Sequence, residues 1–210
     1  MSLSGVVRSR ALRRILSIGA TFAALLVLPA CWVNSINPLY DEGNSSNPHT
    51  DPDVIFDQSL IGSWTTTDDK CPTRLTITAK GEIYDLQSIE RGEGCSQDQY
   101  HRQARLVKLD NHYFFDVSPM DEDVCDMCAA KHDILLVKFD RSTLSFTPID
   151  SDWLKKSLQA KTVMLSTVAG DTDTITASSK DLKAFCREFA DDKAVFKPDS
   201  MFGFKRAPAS

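Results

Sequence analysis

Arg74-Leu75-Thr76-Ile77-Thr78-Ala79-Lys80-Gly81 alternates polar and apolar residues with a period of two and stops at a glycine. That period belongs to a strand with one wet face and one buried face. Lys80-Gly81 turns the chain, and a second strand is predicted over residues 82–89. Residues 90–98 are a polar loop. A long strand follows from about Tyr100 to Leu109, Asp110-Asn111 makes a turn, and residues 112–117 return. A second long loop over 118–130 carries Asp121, Glu122, Asp123 and Asp126. Residues 131–139 are strongly apolar, and Arg141-Ser142 turns them into Leu144-Ser145-Phe146-Thr147. Consecutive hairpins of this kind predict a mainly β domain built as an antiparallel meander.

The pattern changes in the C-terminal third. Residues 151–158 read as a short helix with Leu154 and Leu158 one turn apart. Residues 162–168 and 172–177 can pair through Gly170-Asp171. Ser178-x-x-Asp181 has the form of a capping box, in which the serine side chain satisfies a free amide at a helix start. The helix it begins places Leu182, Phe185 and Phe189 on one stripe, suited to packing on the sheet. A last strand is expected near residues 201–206.

Upstream of the meander stands Leu60-Ile61-Gly62-Ser63-Trp64. This Gly-x-Trp start of a first strand resembles lipocalin-like barrels. The resemblance implies a lipocalin-like or partly open barrel in which Trp64 plugs the closed end. It also implies a basic residue of the last strand over that tryptophan, a part that Arg206 in Phe202-Gly203-Phe204-Lys205-Arg206 could play.

Leu25-Leu26-Val27-Leu28-Pro29-Ala30-Cys31 resembles the lipobox of bacterial lipoproteins, with Pro29 in place of the usual small residue. Arg8, Arg10, Arg13 and Arg14 form a positive region before the apolar run Ile15 to Leu28. That run is too short to span a bilayer, which takes about 20 residues, and suits a signal peptide. Asn37-Pro38-Leu39-Tyr40, Phe56-Asp57, Leu60 and Gly62-x-Trp64 add to the likeness, a recurring pattern in uncharacterised bacterial lipoproteins. The resemblance implies a signal peptide over 1–30, a lipidated Cys31 and anchoring in the membrane of the cell envelope. Trp32 is not the acidic residue that usually retains such proteins at the inner membrane, so the outer membrane is implied, with the domain facing periplasm or exterior. Several acyl chains anchor stably, because each buried methylene contributes about 0.8 kcal/mol.

Residues 31–53 read as a flexible tether, rich in Asn, Pro, Ser, Gly and acids and poor in anything to bury. Asn37-Pro38-Leu39-Tyr40 is an apolar island within it, either a chance cluster or a segment that docks back. Residues 54–210 then form one β-rich domain. The chain of 210 residues carries a net charge of −5, and without residues 1–30 it retains 20 basic and 29 acidic residues. This acidity argues against nucleic-acid binding, which rests on basic patches, and against docking of the domain surface on anionic lipid.

Cys71, Cys95, Cys125, Cys128 and Cys186 remain after Cys31. Export permits disulfides. Cys71 starts one predicted strand and Cys95 lies in the loop after its hairpin partner, so a Cys71–Cys95 bond is expected. Cys125-Asp-Met-Cys128 can be a redox dithiol, half of a zinc site or a local disulfide. Its acidic neighbours oppose a low thiol pKa, and His132 supplies one nearby ligand of the four that zinc wants. A loop disulfide is the preferred reading. Cys186, beside Phe185, reads as a small buried hydrophobe.

No nucleophile elbow, histidine pair on a helix or phosphate-cradling glycine loop occurs in the sequence. His49, His101, His112 and His132 are read as surface residues. No catalytic residue, metal or cofactor is therefore assigned, and the chain is not expected to be an enzyme. Two functions stay open. The domain binds a small apolar molecule or lipid in a barrel mouth, which needs an open apolar cavity. Alternatively Trp64, Phe115 and Phe139 pack the barrel shut, and it acts as an accessory envelope protein through a protein partner.

Overall fold

The computed structural model describes residues 32–41, 43–44, 47–48, 51–66, 71–90, 95, 99–120 and 131–208. Eight strands make the main architecture: β1 Gly62–Thr66, β2 Thr73–Lys80, β3 Ile83–Glu90, β4 Gln99–Leu109, β5 His112–Pro119, β6 His132–Phe139, β7 Thr143–Pro148 and β8 Phe202–Arg206. Each pairs antiparallel with the next. β8 then returns to β1, with Phe204 opposite Thr66 and Arg206 opposite Trp64. The sheet is thereby a closed eight-stranded barrel of lipocalin-like type. Closure removes the exposed strand edges that would otherwise template aggregation.

Tight turns set the register. Gly81, at a φ of 67°, turns β2 into β3, and Asp110, at 55°, turns β4 into β5. Glycine and aspartate tolerate this left-handed region better than most residues. The alternation then sorts side chains into two cores. Leu75, Ile77, Tyr84, Leu86, Leu106, Phe115 and their neighbours fill the barrel. The opposite parity, with Val107, Leu109, Phe114, Ile134 and Leu136, builds a second core outside it.

Two helices cover that outer core. α1 (Ser151–Ala160) starts on Asp150, whose side chain accepts the Trp153 N–H at 2.7 Å. α2 (Ser179–Phe189) starts on Ser178, whose Oγ accepts the Asp181 N–H at 3.2 Å and donates to the Asp181 carboxylate at 2.7 Å. Leu182, Phe185 and Cys186 of α2 are buried. Trp153 of α1 packs against Phe189 at 5.2 Å between ring centroids. Thr167–Val168 and Asp171–Ile175 pair as the short expected hairpin.

The tether reading does not hold for residues 32–41 and 51–53, which lie on the barrel. Asn34–Ser35 pairs antiparallel with β6 and parallel with Asp171–Ile175, bridging the hairpin to the barrel. Val33 and Leu39 are buried in the outer core. The Asn37 side chain donates to the Ala177 carbonyl at 2.9 Å, and Arg105 stacks on Tyr40 at 5.0 Å. Further along, Lys183 of α2 holds Asp51 at 2.5 Å and Asp53 at 2.7 Å. Val54–Ile55 then adds to β4. Backbone pairing and two apolar side chains suffice to bind a stretch whose composition is polar.

Candidate functional site

One end of the barrel is sealed. Gln58–Leu60 forms a turn of 3-10 helix capped by Asp57, and it drives Leu60 beneath Trp64. The buried Trp64 indole N–H donates to the Leu60 carbonyl at 3.0 Å. The Arg206 guanidinium sits 4.1 Å from the centre of the Trp64 ring. It also donates to the carbonyls of Ile61 at 3.1 Å, Arg141 at 2.8 Å and Ser59. One side chain therefore ties the approach to β1 and the β6–β7 turn to the plug. Gly62, at a φ of 137°, leaves the room this needs, because a Cβ there would stand 2.8 Å from Arg206 Nη1. Tyr84 braces the same end. Its hydroxyl accepts the Asp57 N–H at 2.6 Å, and burial pushes the phenol up to about 12.

Above the plug the lumen has two tiers. Trp64, Ile77, Tyr84, Leu106 and Phe115 are fully buried. Tyr84, Phe115, Phe146 and Phe204 follow one another across the barrel at 5.4–5.6 Å between centroids. An eight-stranded barrel is just wide enough for side chains to fill it or for one small ligand. In this lower tier side chains fill it, Phe115 as expected for a closed barrel. Phe139 lies only partly buried at its edge, against Tyr113 at 5.2 Å. Leu75, Leu86, Val117 and Leu135, which complete the interior cluster, are buried as well, at 7–9 % exposure.

The opposite end is the candidate mouth, and residues 67–70, 91–94, 96–98 and 121–130, which join its strands, lie outside the described residues. Its rim is made where β2 and β6 begin, β3, β5 and β7 end, and β4 enters the barrel. Cys71 and Cys95 are disulfide-bonded there, with Cα atoms 5.7 Å apart, linking the approach to β2 with the β3–β4 connection. Cys31, Cys125 and Cys128 lie outside the described residues. Replacing Cys71 and Cys95 together by serine is expected to cost about 3 kcal/mol, the chain-entropy value for a loop closed over a separation of 24 residues. Denaturant titration with and without reductant measures it. A wild-type curve indifferent to reductant would rule the contribution out.

The rim also holds polar groups. Asp133 shares the inward face of β6 with Leu135 and Val137, and pairs with Val117 of β5. Burial pushes its carboxyl up to about 6, against the attraction of Arg102. Beside it the paired Asn34 carries a buried Oδ1 that receives no hydrogen bond among the described residues. Trp32 and Phe202 meet as tilted rings at 5.4 Å between centroids and pack on the interior cluster. The described rim therefore sets apolar side chains beside hydrogen-bond acceptors on β6 and the docked segment.

On the outer wall the surface reading of the histidines fails for His132, which is 6 % exposed. Its Nδ1 lies 2.6 Å from Asp116 Oδ1, and Asp116 Oδ2 accepts the Leu39 N–H at 2.5 Å. His101 and His112 do lie nearer solvent, each 3.0 Å from an aspartate. Burial pushes the Cys186 thiol up, away from reactivity. Sequence reasoning did not single out Asn34, Asp116 or Asp133. The one signal was Asp116 and Asp133 inside apolar strands, where a carboxylate needs a partner. The chain matches no protein-family model, no curated protein and no solved structure.

Proposed function

We propose that this is an exported, non-enzymatic lipoprotein of the bacterial cell envelope, anchored through Cys31, that holds a small amphiphilic molecule in the mouth of its barrel. The observation that carries the binding half of this reading is the two-tier lumen. Fully buried side chains fill the lower tier, while the apolar row above it keeps 7–9 % exposure and has polar groups beside it at the rim. A cup of that kind takes a short apolar body with a polar end. It does not take a long chain reaching the plug.

The docked N-terminal segment adds a spatial argument. Trp32, next to Cys31 in sequence, packs at the rim against Phe202. A lipid on Cys31 would leave the chain beside the mouth, and the cup would open near the bilayer surface, where amphiphiles concentrate. The filled lower tier favours a second reading, an accessory protein that works through a protein partner and keeps its barrel for structure alone.

Native mass spectrometry of the protein extracted from a bacterial envelope tests both halves. The expected polypeptide begins at Cys31 and carries several acyl chains, and a further mass of a small molecule leaves on denaturation. A polypeptide that keeps residues 1–30 without lipid would sink the anchor. A correctly lipidated protein with no releasable mass, in repeated preparations, would favour the accessory reading.

A further inference from the structure

We infer that the mouth binds an ammonium group, held between the Asp133 carboxylate and the side-chain carbonyl of Asn34. This rests on the reading of the mouth as a ligand site and adds the polar chemistry of the ligand: a primary amine on a short apolar body.

The geometry starts from register. Asn34 and Asp133 are direct partners across antiparallel strands. Such partners project to the same side, with Cβ atoms about 5 Å apart. That side is the lumen. Leu135 and Val137 follow Asp133 at even spacing in β6, and Trp32, two residues before Asn34, packs on the same interior cluster. Val33 and Ser35, of the other parity, are buried toward the outer core.

Neither acceptor has a hydrogen-bond donor among the described residues. Asn34 spends its Nδ2 on the Trp32 carbonyl at 3.3 Å, and its Oδ1 is buried without a partner among the described residues. None of the ion pairs among the described residues includes Asp133. Arg102 attracts the carboxylate from across β5 but is engaged with the His101 carbonyl at 2.9 Å. The buried Asn34 Oδ1 is a costly acceptor to leave without a donor, and the partly buried Asp133 carboxylate beside it is favoured by an added cation. Two neighbouring acceptors call for a group that only donates. An ammonium carries three N–H donors and the opposite charge. The Trp32 ring stands on the same wall, and an aromatic face attracts a cation. Below them Val117 and Leu135 offer the apolar surface an alkyl chain would cover.

The test is calorimetric titration of the full chain in a neutral detergent with three probes of equal length: n-hexylamine, hexyltrimethylammonium and hexanol. Detergent alone is the blank. Hexylamine is expected to bind at least tenfold more tightly than either of the others. The trimethylated head keeps the charge but has no N–H for Asn34, and the alcohol has no charge for Asp133. Asp133→Asn, which keeps the shape of the side chain, should remove that preference while hexanol binding stays. Asn34→Ser should narrow the gap between hexylamine and its trimethyl analogue. Lowering the pH from 7.5 to 5 should weaken hexylamine about tenfold as the carboxyl takes up its proton near 6. Arg102, Lys131, His132 and Asp116 are the charged neighbours of Asp133. The Asp133→Asn variant therefore has to lose this pH dependence, since those neighbours remain.

Equal binding of all three probes would overturn the ammonium site and leave the apolar cup standing. Binding by none of them would remove the cup together with the inference, and the two acceptors would then be served by water.

Discussion

Asp116→Ala is expected to lower the stability of the fold by about 2–6 kcal/mol, since it strips two buried donors of their acceptor. Asp116 is 2 % exposed. One oxygen meets His132 Nδ1 at 2.6 Å and the other accepts the Leu39 N–H at 2.5 Å. Alanine would leave a buried imidazole and a buried amide without their acceptor, and each unpaired group carries a desolvation penalty of about 1–3 kcal/mol. The effect should also be local. Leu39 is held by this contact, so the segment from Trp32 to Tyr40 should lift from the barrel before the barrel itself opens. Equilibrium denaturation gives the total, and hydrogen exchange at Ile36 and Leu39 gives the local part. Asp116→Asn preserves the shape and one acceptor, and should cost clearly less than alanine. A midpoint for Asp116→Ala within experimental error of wild type would show that water enters and replaces the carboxylate.

The same contact shows where the sequence stops being legible. Alternation in Arg74 to Lys80 announces a strand because its period survives whatever the strand packs against. The α2 cap at Ser178 is equally local, a matter of one side chain and one amide three residues on. Gly62-x-Trp64 and Arg206 lie far apart in sequence, and only the likeness to a known barrel type suggested pairing them. Composition points to a tether after Cys31 because it measures only how much a stretch can bury by itself. Val33 and Leu39 are two residues among many polar ones, yet a ready edge of β6 and the Asp116 carboxylate receive them. Asp116 and Asp133 are both aspartates in apolar strands one register row apart. Parity sends one outward beneath the docked segment and the other inward to the mouth. Nothing in either residue's own neighbourhood distinguishes these fates, since they depend on which segment covers which wall. The acceptors that define the mouth come from strands 99 residues apart, a juxtaposition that pairing of the docked segment alone creates.

Trp64→Ala should be as damaging as Asp116→Ala by a different mechanism. Removing a fully buried tryptophan leaves a large cavity, and such truncations cost about 3–5 kcal/mol. The Leu60 carbonyl loses its indole donor, and Arg206 loses the ring under its guanidinium while keeping three carbonyl acceptors. Arg206→Ala alone should therefore cost less than Trp64→Ala, and the two should not add. A double-mutant cycle by denaturation is expected to give a coupling of about 0.5–2 kcal/mol, the range for a cation over an aromatic face with partial burial. Zero coupling would mean that Arg206 serves only as a clamp on the three backbone carbonyls. Trp64→Phe should recover most of the packing but not the hydrogen bond to Leu60. The damage ought also to stay at its own end. Tyr84, Phe115 and Phe146 stand between the plug and the mouth, so hexylamine affinity measured where Trp64→Ala is still folded should match wild type. If the affinity falls along with the stability, the two tiers move as one body, and the packed base is what keeps Asp133 and Asn34 in place.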